Sequence, residues 1–295
     1  MNINKGHMGS TIEFESSYDR SLFMKDFNSE SNMVKLFKNW NLRGSYDTSL
    51  INFEDLITAE LISKKIVPEE IFKEYNYNLN DLHLCLKNNL KTLDESEQNS
   101  ISVSFYETSK KIQDMYINFV YDVISPHFNE KIHYQVVPTF RFHFPNQKGY
   151  NWNDRYHTDI MLGHPPFEFN IWLPFTKVFE SNSMRLMSLN DSIKTYKLCD
   201  SNFEILAERC QYDENFISHL KLNSKSLNME YGEFIIFDPR CLHCTQHNNT
   251  NKTRISMDIR IILENDFSKY SREYKTTGRK KMPFKPGYYF SKEAI

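Results

Sequence analysis

The hydrophobic periodicity of this chain changes near residue 132, and this change constrains the fold more than any other feature of the sequence. Residues 132–144 (IHYQVVPTFRFHF) show the two-residue period of β-strands. Further short apolar runs continue to residue 263, separated by turns rich in Pro, Gly and Asn. Because this region lacks the regular alternation of strands and helices that parallel sheets require, the pattern predicts an antiparallel jelly roll, that is, a cupin-like double-stranded β-helix.

The first third of the chain has helical spacing instead. Helices are expected near residues 23–40, at 53–64, from Pro68 onward, at 79–90 and, as the longest, at 104–124. The sequence therefore predicts a mainly β protein with α-helical elaboration. Its expected parts are a helical N-terminal region of residues 1–127 packed on the barrel, a jelly-roll core of 128–264 with an insertion at about 190–228, and a C-terminal tail of 265–295. The tail is expected to cover a sheet edge or the mouth of the barrel.

Composition and charge exclude several classes of protein. The net charge is −2, from 36 basic and 38 acidic residues, and this balance favours neither nucleic acid nor an anionic membrane as a partner. The five cysteines are odd in number and irregularly spaced, as expected for reduced thiols rather than a disulfide framework. The N-terminus is polar, and no apolar run approaches the roughly 18–20 residues of a membrane span. We therefore expect a cytoplasmic protein without a membrane span.

A candidate metal site begins at His157 and Asp159, in a segment that alternates apolar and polar residues as a short strand does. Residues i and i+2 of a strand share a face, so this imidazole and carboxylate are expected to lie side by side. One distant histidine would complete the facial triad of non-haem Fe(II) oxygenases, which leaves the remaining positions of the metal open. His243 follows a buried strand and a turn and is favoured as the third ligand, while His247 in an apparent loop is the alternative.

Two other patterns lie near this histidine. Cys241 and Cys244 flank it, but no second Cys or His pair follows at zinc-finger spacing, so packing is the favoured interpretation. Eleven residues after His243 comes Arg254, which shares a strand face with Ser256. A guanidinium and a hydroxyl in that arrangement could bind a carboxylate, the arginine through two parallel hydrogen bonds.

Five segments form a linked set of motifs, namely residues 138–143 (PTFRFH), 157–159 (HTD), 170–176 (NIWLPFT), 242–243 (LH) and 253–260 (TRISMDIR). This set resembles the phytanoyl-CoA dioxygenase-like branch of the Fe(II)/2-oxoglutarate oxygenases. More narrowly, it is similar to bacterial oxygenases of carbohydrate and aminoglycoside gene clusters. The resemblance covers roughly residues 132–263 and leaves the helical N-terminal third unexplained. Cys244 departs from the family pattern, which usually has Gly after the distal histidine.

The resemblance implies an enzyme, a 2-oxoglutarate-dependent non-haem iron dioxygenase. It implies that Fe(II) is bound by three ligands, His157, Asp159 and His243. It also implies that Arg254, with Ser256, binds the far carboxylate of the co-substrate 2-oxoglutarate, and that O2 is the oxidant. Asn170 is a further candidate contact for the co-substrate, since a polar side chain within an apolar strand needs a partner when it is buried.

Arg141 and Trp172 are the candidate substrate contacts. Arg141 shares a strand face with His143, and this pair lies either inside the barrel or on its exposed outer face. Trp172 shares a face with Asn170. Family analogy indicates a small-molecule substrate, a sugar or a sugar conjugate, and thus a role in carbohydrate biosynthesis. The carboxylate of Asp159 favours hydroxylation, because related halogenases lack it and bind halide in its place.

Two alternative functions remain open from the sequence. One is a non-catalytic cupin-like barrel that binds metal or carbohydrate, which would not need an anchor for a 2-oxo acid. The other is a metal-dependent hydrolase or isomerase with the same three ligands, which would require neither O2 nor 2-oxoglutarate. The oligomeric state is also left open.

Overall fold

The computed structural model describes residues 27–86, 101–146, 155–162, 164–273 and 289–295. Within these ranges the chain forms two antiparallel β-sheets with helices packed around them. The strands are β1 Asn41–Ser45, β2 Ile132–Tyr134, β3 Thr139–His143, β4 Phe169–Pro174, β5 Met184–Met187, β6 Ser224–Ser226, β7 Glu233–Phe237, β8 His243–Thr245 and β9 Arg254–Leu263. The α-helices are α1 Asn32–Phe37, α2 Phe53–Ser63, α3 Glu69–Glu74, α4 Leu82–Cys85, α5 Lys110–Asn118, α6 Leu189–Lys197, α7 Phe203–Tyr212, α8 Glu214–Asn223 and α9 Glu264–Glu273.

The larger sheet has six strands in the order β1-β7-β4-β9-β2, and β3 also pairs with β9. The smaller sheet has the order β6-β5-β8. Every pairing between these strands is antiparallel, which agrees with the predicted β-rich antiparallel class. The central position of β9, between β4 and the strands β2 and β3, makes it the scaffold for residues on both of its faces.

Strand β9 has two chemically different faces. Its odd-numbered residues from Ile255 to Ile261 are buried in the largest apolar cluster, together with residues of α2 and α5. Its even-numbered residues from Arg254 to Arg260 are polar, and three of them, Arg254, Asp258 and Arg260, line a cavity on the opposite side. Because successive side chains of a strand point to opposite faces, the helices cover one face of the large sheet and leave the other for a site.

The N-terminal region is helical over most of its described length, but it also contributes a strand that the sequence pattern did not predict. β1 pairs with β7 along its whole length, from Asn41 opposite Phe237 to Ser45 opposite Glu233. The segment is short and polar and contains Gly44, so its own sequence gives no strand signal. Pairing with β7 supplies the hydrogen bonds that make it a strand.

The longest predicted helix, at residues 104–124, is shorter and less regular in the structure. α5 begins only at Lys110, after an irregular stretch, and ends at Asn118. A π-helix, Phe119–Ile124, follows directly. Phe119 and Ile124 are both fully buried and lie five residues apart, which matches the π-helical hydrogen-bond spacing and places both side chains on the core side. The predicted helix at 79–90 is a 3₁₀ turn, Leu79–Asp81, and α4, while residues 87–90 lie outside the described ranges.

The insertion predicted at about 190–228 contains three helices and a strand. α6, α7 and α8 each begin after a residue whose side chain accepts a hydrogen bond from a backbone N–H of the first turn, namely Ser188, Asn202 and Asp213. These helices pack with α9 and with Phe290 in a second apolar cluster. A third cluster, which includes Trp172, Met184 and Phe237, joins residues of the two sheets.

The described end of the tail covers a sheet edge, one of the two predicted positions. The backbones of Ile132 and Ile295 exchange two hydrogen bonds of 3.0 Å each, and Ser291 N donates to Tyr134 O at 2.8 Å. β2 is thereby protected along its outer side. Among the described residues no helix combines the length and apolar character needed to cross a membrane.

Candidate active site

A backbone bridge brings His157 and His243 together. His157 N donates to His243 O at 3.0 Å, and His243 N donates to His157 O at 2.9 Å. The centroids of their imidazole rings are 4.4 Å apart. The favoured third ligand of the sequence analysis therefore lies beside His157, whereas the alternative, His247, is exposed and outside this group.

Backbone carbonyls fix how both imidazoles are protonated. His157 Nδ1 lies 2.8 Å from Arg155 O, and His243 Nδ1 lies 3.0 Å from Cys241 O. A carbonyl oxygen only accepts hydrogen bonds, so each Nδ1 carries a hydrogen, and Nε2 is the ring nitrogen that can bind a metal. Burial, with the nearby His243, lowers the pKa of His157 to about 3. Its imidazole is therefore neutral at physiological pH, as metal binding requires.

Asp159 supplies a carboxylate to the same space. Its Oδ2 accepts hydrogen bonds from Arg260 Nε at 2.9 Å and Nη2 at 2.7 Å. Its Oδ1 has no hydrogen-bond partner and lies 3.7 Å from His243 Nε2. Burial by itself raises the pKa of Asp159, but Arg260 and the neighbouring histidines outweigh it, so the pKa is held well below its usual value. This carboxylate is ionised.

The local structure at these residues differs from the predicted strand. His157 forms an isolated bridge, and Asp159 begins a 3₁₀ turn, Asp159–Leu162. The shared strand face expected for the two side chains is therefore wrong. The turn nevertheless brings one ligand atom from each of His157, Asp159 and His243 within 4.8 Å of the others, and all three residues are buried.

A buried arginine lies in the same cavity. Arg254 is 3% exposed, and its Nε and Nη1 atoms have no hydrogen-bond partner. Its Nη2 lies 3.5 Å from Thr245 Oγ1. Burial lowers the pKa of Arg254 to about 10, so the guanidinium is still charged at neutral pH. Since a buried charge with unpaired nitrogen atoms is costly, this guanidinium is suited to an anion that enters the cavity.

Other unpartnered polar atoms accompany the arginine. Ser256 Oγ and both side-chain amide atoms of Asn170 are buried and lack hydrogen-bond partners. Asn170 lines the cavity with Arg254 and the three metal-ligand candidates. The cavity has a volume of about 500 Å³, with the open space at its mouth included. Two of the residues that the sequence analysis assigned to a co-substrate, Arg254 and Asn170, thus line one space, and the third, Ser256, lies on the same strand as Arg254.

The candidate substrate contacts also face this cavity. Arg141 and Trp172 both line it, on β3 and β4. Arg141 Nε donates to Asp258 Oδ2, and the two residues form an ion pair that is partly accessible to solvent. His143, the neighbour of Arg141 on the same strand face, is buried. The interior placement of the pair, one of two open alternatives, is therefore the observed one.

Three residues at the site were not singled out in the sequence analysis. Arg260 holds Asp159, Asp258 pairs with Arg141, and Thr245 lies beside Arg254. The signal that could have found two of them is the two-residue period of β9, which places Asp258 and Arg260 on the face of Arg254. Cys241 and Cys244 are buried, and neither belongs to a cluster of potential metal ligands among the described residues.

Comparison with known proteins gives a distant similarity in sequence. No protein-family model matches it. The streptomycin biosynthesis protein StrG of Streptomyces griseus is 24% identical over 187 residues, which are 63% of this chain and 72% of StrG.

Solved structures of non-haem enzymes show partial similarity. The carbocyclase SnoK from nogalamycin biosynthesis, described as non-haem and alpha-ketoglutarate dependent, has a TM-score of 0.45 and 8% identity over 79% of this chain and 84% of SnoK. The non-haem monooxygenase ThoJ in a nickel complex has a TM-score of 0.42 and 11% identity over 79% and 77% of the two chains. HygX of Streptomyces hygroscopicus with nickel and 2-oxoglutarate bound has a TM-score of 0.40 and 12% identity over 80% and 88%. The functional conclusion therefore depends on the residues of this chain.

Proposed function

We propose that this chain is an Fe(II)- and 2-oxoglutarate-dependent dioxygenase built on a double-stranded β-helix. One observation carries the proposal: a buried group of two imidazoles and a carboxylate shares a cavity with a buried guanidinium that has unpartnered nitrogen atoms. The first group matches the ligand set of non-haem iron oxygenases. The guanidinium supplies what that ligand set alone does not explain, an anchor for a second, anionic molecule beside the metal.

The donor atoms fit a ferrous ion. His157 and His243 present Nε2 lone pairs because their Nδ1 atoms donate to backbone carbonyls. Asp159 presents Oδ1, which is buried without a hydrogen-bond partner. Two nitrogen atoms and one oxygen suit Fe(II) better than zinc in a structural site, which takes four protein ligands and prefers thiolates.

The co-substrate would be held by the protein at its far end. Arg254 would bind the distal carboxylate of 2-oxoglutarate through its free Nε and Nη1 atoms, assisted by Ser256 and Thr245. The side-chain amide of Asn170 would form hydrogen bonds with the same molecule. The assignment explains why three polar side chains, those of Arg254, Ser256 and Asn170, have buried atoms without hydrogen-bond partners, since the ligand completes their hydrogen bonds.

The residues around the ligands would position the reactants and exclude water. When bound, Fe(II) supplies O2-dependent oxidation coupled to the decarboxylation of 2-oxoglutarate to succinate. The apolar side chains of Trp172, Met184 and Phe237 line the cavity and are buried, so they limit the access of water to the site. Binding, orientation and exclusion are the contribution of the protein, because the cofactor carries the oxidation itself.

The substrate we propose is a small molecule, a sugar or a sugar conjugate, and the reaction a hydroxylation. The name of the 24% identical relative, a streptomycin biosynthesis protein, supports a role in the biosynthesis of such compounds. Arg141 and Trp172 line the cavity and offer an ion-paired cation and an aromatic side chain to a substrate. The five free cysteines are consistent with a reducing compartment, and we place the protein in the cytoplasm. The division at residues 127 and 264 stays a prediction.

Anaerobic addition of Fe(II) to the apoprotein, followed by 2-oxoglutarate, tests this function without knowledge of the substrate. We expect the weak visible charge-transfer band of a 2-oxo acid that chelates ferrous iron. The band should be lost in His157→Ala and kept in the matched control His247→Ala, whose histidine is exposed. Iron binding without a band and without measurable affinity for 2-oxoglutarate would favour a metal-binding barrel or a hydrolase instead.

A further inference from the structure

We propose that Arg260 is a positioning residue that restricts Asp159 to a single metal-binding oxygen. The inference rests on the proposed function, because it concerns how a ligand of the proposed metal is oriented. It goes further by giving a role to an arginine outside the expected ligand and co-substrate residues. It also predicts a spectroscopic effect that can be measured without turnover.

The geometry of the contact is selective for one carboxylate oxygen. Nε and Nη2 of Arg260 both donate to Oδ2 of Asp159, at 2.9 and 2.7 Å. No hydrogen bond reaches Oδ1. An arginine often binds a carboxylate with one nitrogen on each oxygen, but here both donors are on the same atom. The two lone pairs of Oδ2 are therefore engaged, and Oδ1 is left to face the two imidazoles.

The arginine connects a turn to the most central strand of the large sheet. Asp159 stands at the first position of a 3₁₀ turn, where its backbone N donates to Pro239 O at 3.2 Å. Arg260 lies on β9 opposite Asn170 of β4, inside the sheet ladder. Because a strand paired on both sides is more rigid than a short turn, the sheet sets the orientation of the carboxylate rather than the turn itself.

Binding through one oxygen determines how many coordination positions of the metal stay open. A carboxylate can ligate a cation through one oxygen or through both, and an octahedral ion has six positions. With Asp159 bound through Oδ1 alone, the three protein ligands leave three positions open. A chelating 2-oxo acid needs two of them and O2 needs one. If Oδ2 also bound the metal, the site would lack one position for its own reactants.

The competing explanation is that Arg260 only neutralises a buried carboxylate. Removal of the guanidinium would then lower the stability of the folded protein without changing how the metal is held. Glu168 is a second buried carboxylate near this region, with an Oε1 atom that lacks a hydrogen-bond partner. Loss of stability is expected whether Arg260 neutralises buried carboxylates or orients Asp159. A measurement at the metal is therefore needed to separate the neutralising role from the positioning role.

Co(II) reports coordination directly, because the energies and intensities of its visible bands depend on the number and arrangement of ligands. We would titrate Co(II) into the wild-type apoprotein and into Arg260→Met, Arg260→Lys and Arg209→Met, and then add 2-oxoglutarate anaerobically. Arg209, on α7, is the matched control, since its guanidinium pairs with the carboxylate of Asp213 at 3.1 Å outside the cavity. Circular dichroism and thermal unfolding verify that each variant is folded.

We expect Arg260→Met to bind Co(II) with altered visible bands and to bind 2-oxoglutarate about 10- to 100-fold more weakly than the wild type. The spectrum of the control Arg209→Met should match the wild type before and after 2-oxoglutarate is added. Arg260→Lys keeps the charge but has one nitrogen in place of two, so its bands should also change. It serves as the test if the methionine variant does not fold.

Two results would overturn the inference. Wild-type bands and wild-type affinity for 2-oxoglutarate in a folded Arg260→Met or Arg260→Lys variant would leave Arg260 with a stabilising role only, and the proposed function would stand. A wild-type protein that binds no Co(II) and no Fe(II) would instead refute the proposed function together with this inference. Combination with Asp159→Ala gives a further check, because Arg260→Met should add no spectral change in that background.

Discussion

His157 and His243 hold each other through their main chains, with two hydrogen bonds of 2.9 and 3.0 Å between residues 86 positions apart in the sequence. The bridge fixes the separation of the two imidazoles independently of any metal. Each ring is further oriented by a carbonyl of the residue two positions before it. The protein therefore presents an organised pair of nitrogen ligands, and metal binding does not have to bring the two histidines together.

Alanine at either histidine should abolish tight Fe(II) binding. His157→Ala and His243→Ala each remove one of three donor atoms but leave the main-chain bridge possible. The protein should therefore fold and lose metal binding. Anaerobic Fe(II) titration, with circular dichroism as a control for folding, measures both properties. His247→Ala is the matched substitution at an exposed position and should bind as the wild type does. Retained binding in His243→Ala together with loss in His247→Ala would show that the wrong ligand is assigned.

Loss of the buried guanidinium of Arg254 should weaken binding of the co-substrate and leave binding of the metal unchanged. A hydrogen bond to a charged group contributes roughly 1.5–3 kcal/mol, so Arg254→Ala should raise the Kd of 2-oxoglutarate by about 10- to 100-fold. The Kd of Arg254→Lys should lie between those of the wild type and Arg254→Ala, since an amine keeps the charge but lacks the planar guanidinium that makes two parallel hydrogen bonds. Lys252→Ala is the control, because Lys252 pairs with Asp81 outside the cavity. Calorimetry on the Mn(II) or anaerobic Fe(II) form measures the change, and an unchanged Kd would remove the role of Arg254.

Strand β9 shows what the sequence can reveal. The short apolar runs of the sequence continue to residue 263, which is where β9 ends. Polar and apolar residues alternate over its first eight positions, 254–261, because one face packs in the apolar core and the other faces a cavity. The same periodicity placed Arg254 and Ser256 together. This alternation is a local property of the sequence. It is retained in the folded protein because one face of the strand packs in the core and the other faces a cavity.

Other features depend on contacts that no local pattern contains. β1 is a strand only because β7 offers an edge to a segment about 190 residues earlier in the chain. Asp159 lies in a turn because its backbone pairs with Pro239 rather than with a neighbouring strand. The hydrogen bonds from Arg260 to Asp159 join residues 101 positions apart. Alternation along β9 could have identified the face on which Arg260 lies, but its partner is set by the tertiary structure.

Gly44 should tolerate no side chain, because β1 crosses closely over an aromatic ring. A Cβ atom at this position would lie 2.3 Å from Cζ of Phe234, which is fully buried. Gly44→Ala should therefore destabilise the protein by about 1–3 kcal/mol, as overpacking of a core does. Urea unfolding monitored by circular dichroism gives the difference. Ser45→Ala, at the exposed neighbouring position, should change stability by less than about 0.5 kcal/mol. A stable Gly44→Ala protein would mean that β1 can move away from β7.

Removal of Asp238 should both destabilise the fold and disturb the site. Its carboxylate accepts hydrogen bonds from Nε and Nη2 of Arg240 at 2.8 and 2.7 Å and from Ser31 Oγ, and the pair is almost completely buried. Asp238→Ala leaves the guanidinium without its counter-charge, which should cost about 3–5 kcal/mol. The turn that contains Asp238 also carries the Pro239 carbonyl that holds Asp159, so metal affinity should fall as well.

The double variant Asp238→Ala/Arg240→Met separates these two effects. It removes both charges, so it should be more stable in urea than Asp238→Ala alone, because an unpaired buried charge is worse than none. Its metal affinity should stay below that of the wild type, since the turn before His243 is still weakened. Arg240 also donates to the carbonyls of Phe27 and Ser29, at 2.9 and 3.0 Å, which anchors the segment before α1 to this turn. Recovery of stability without recovery of metal affinity would show that the turn orients the site. If metal affinity returned fully with stability, the network would serve the fold alone.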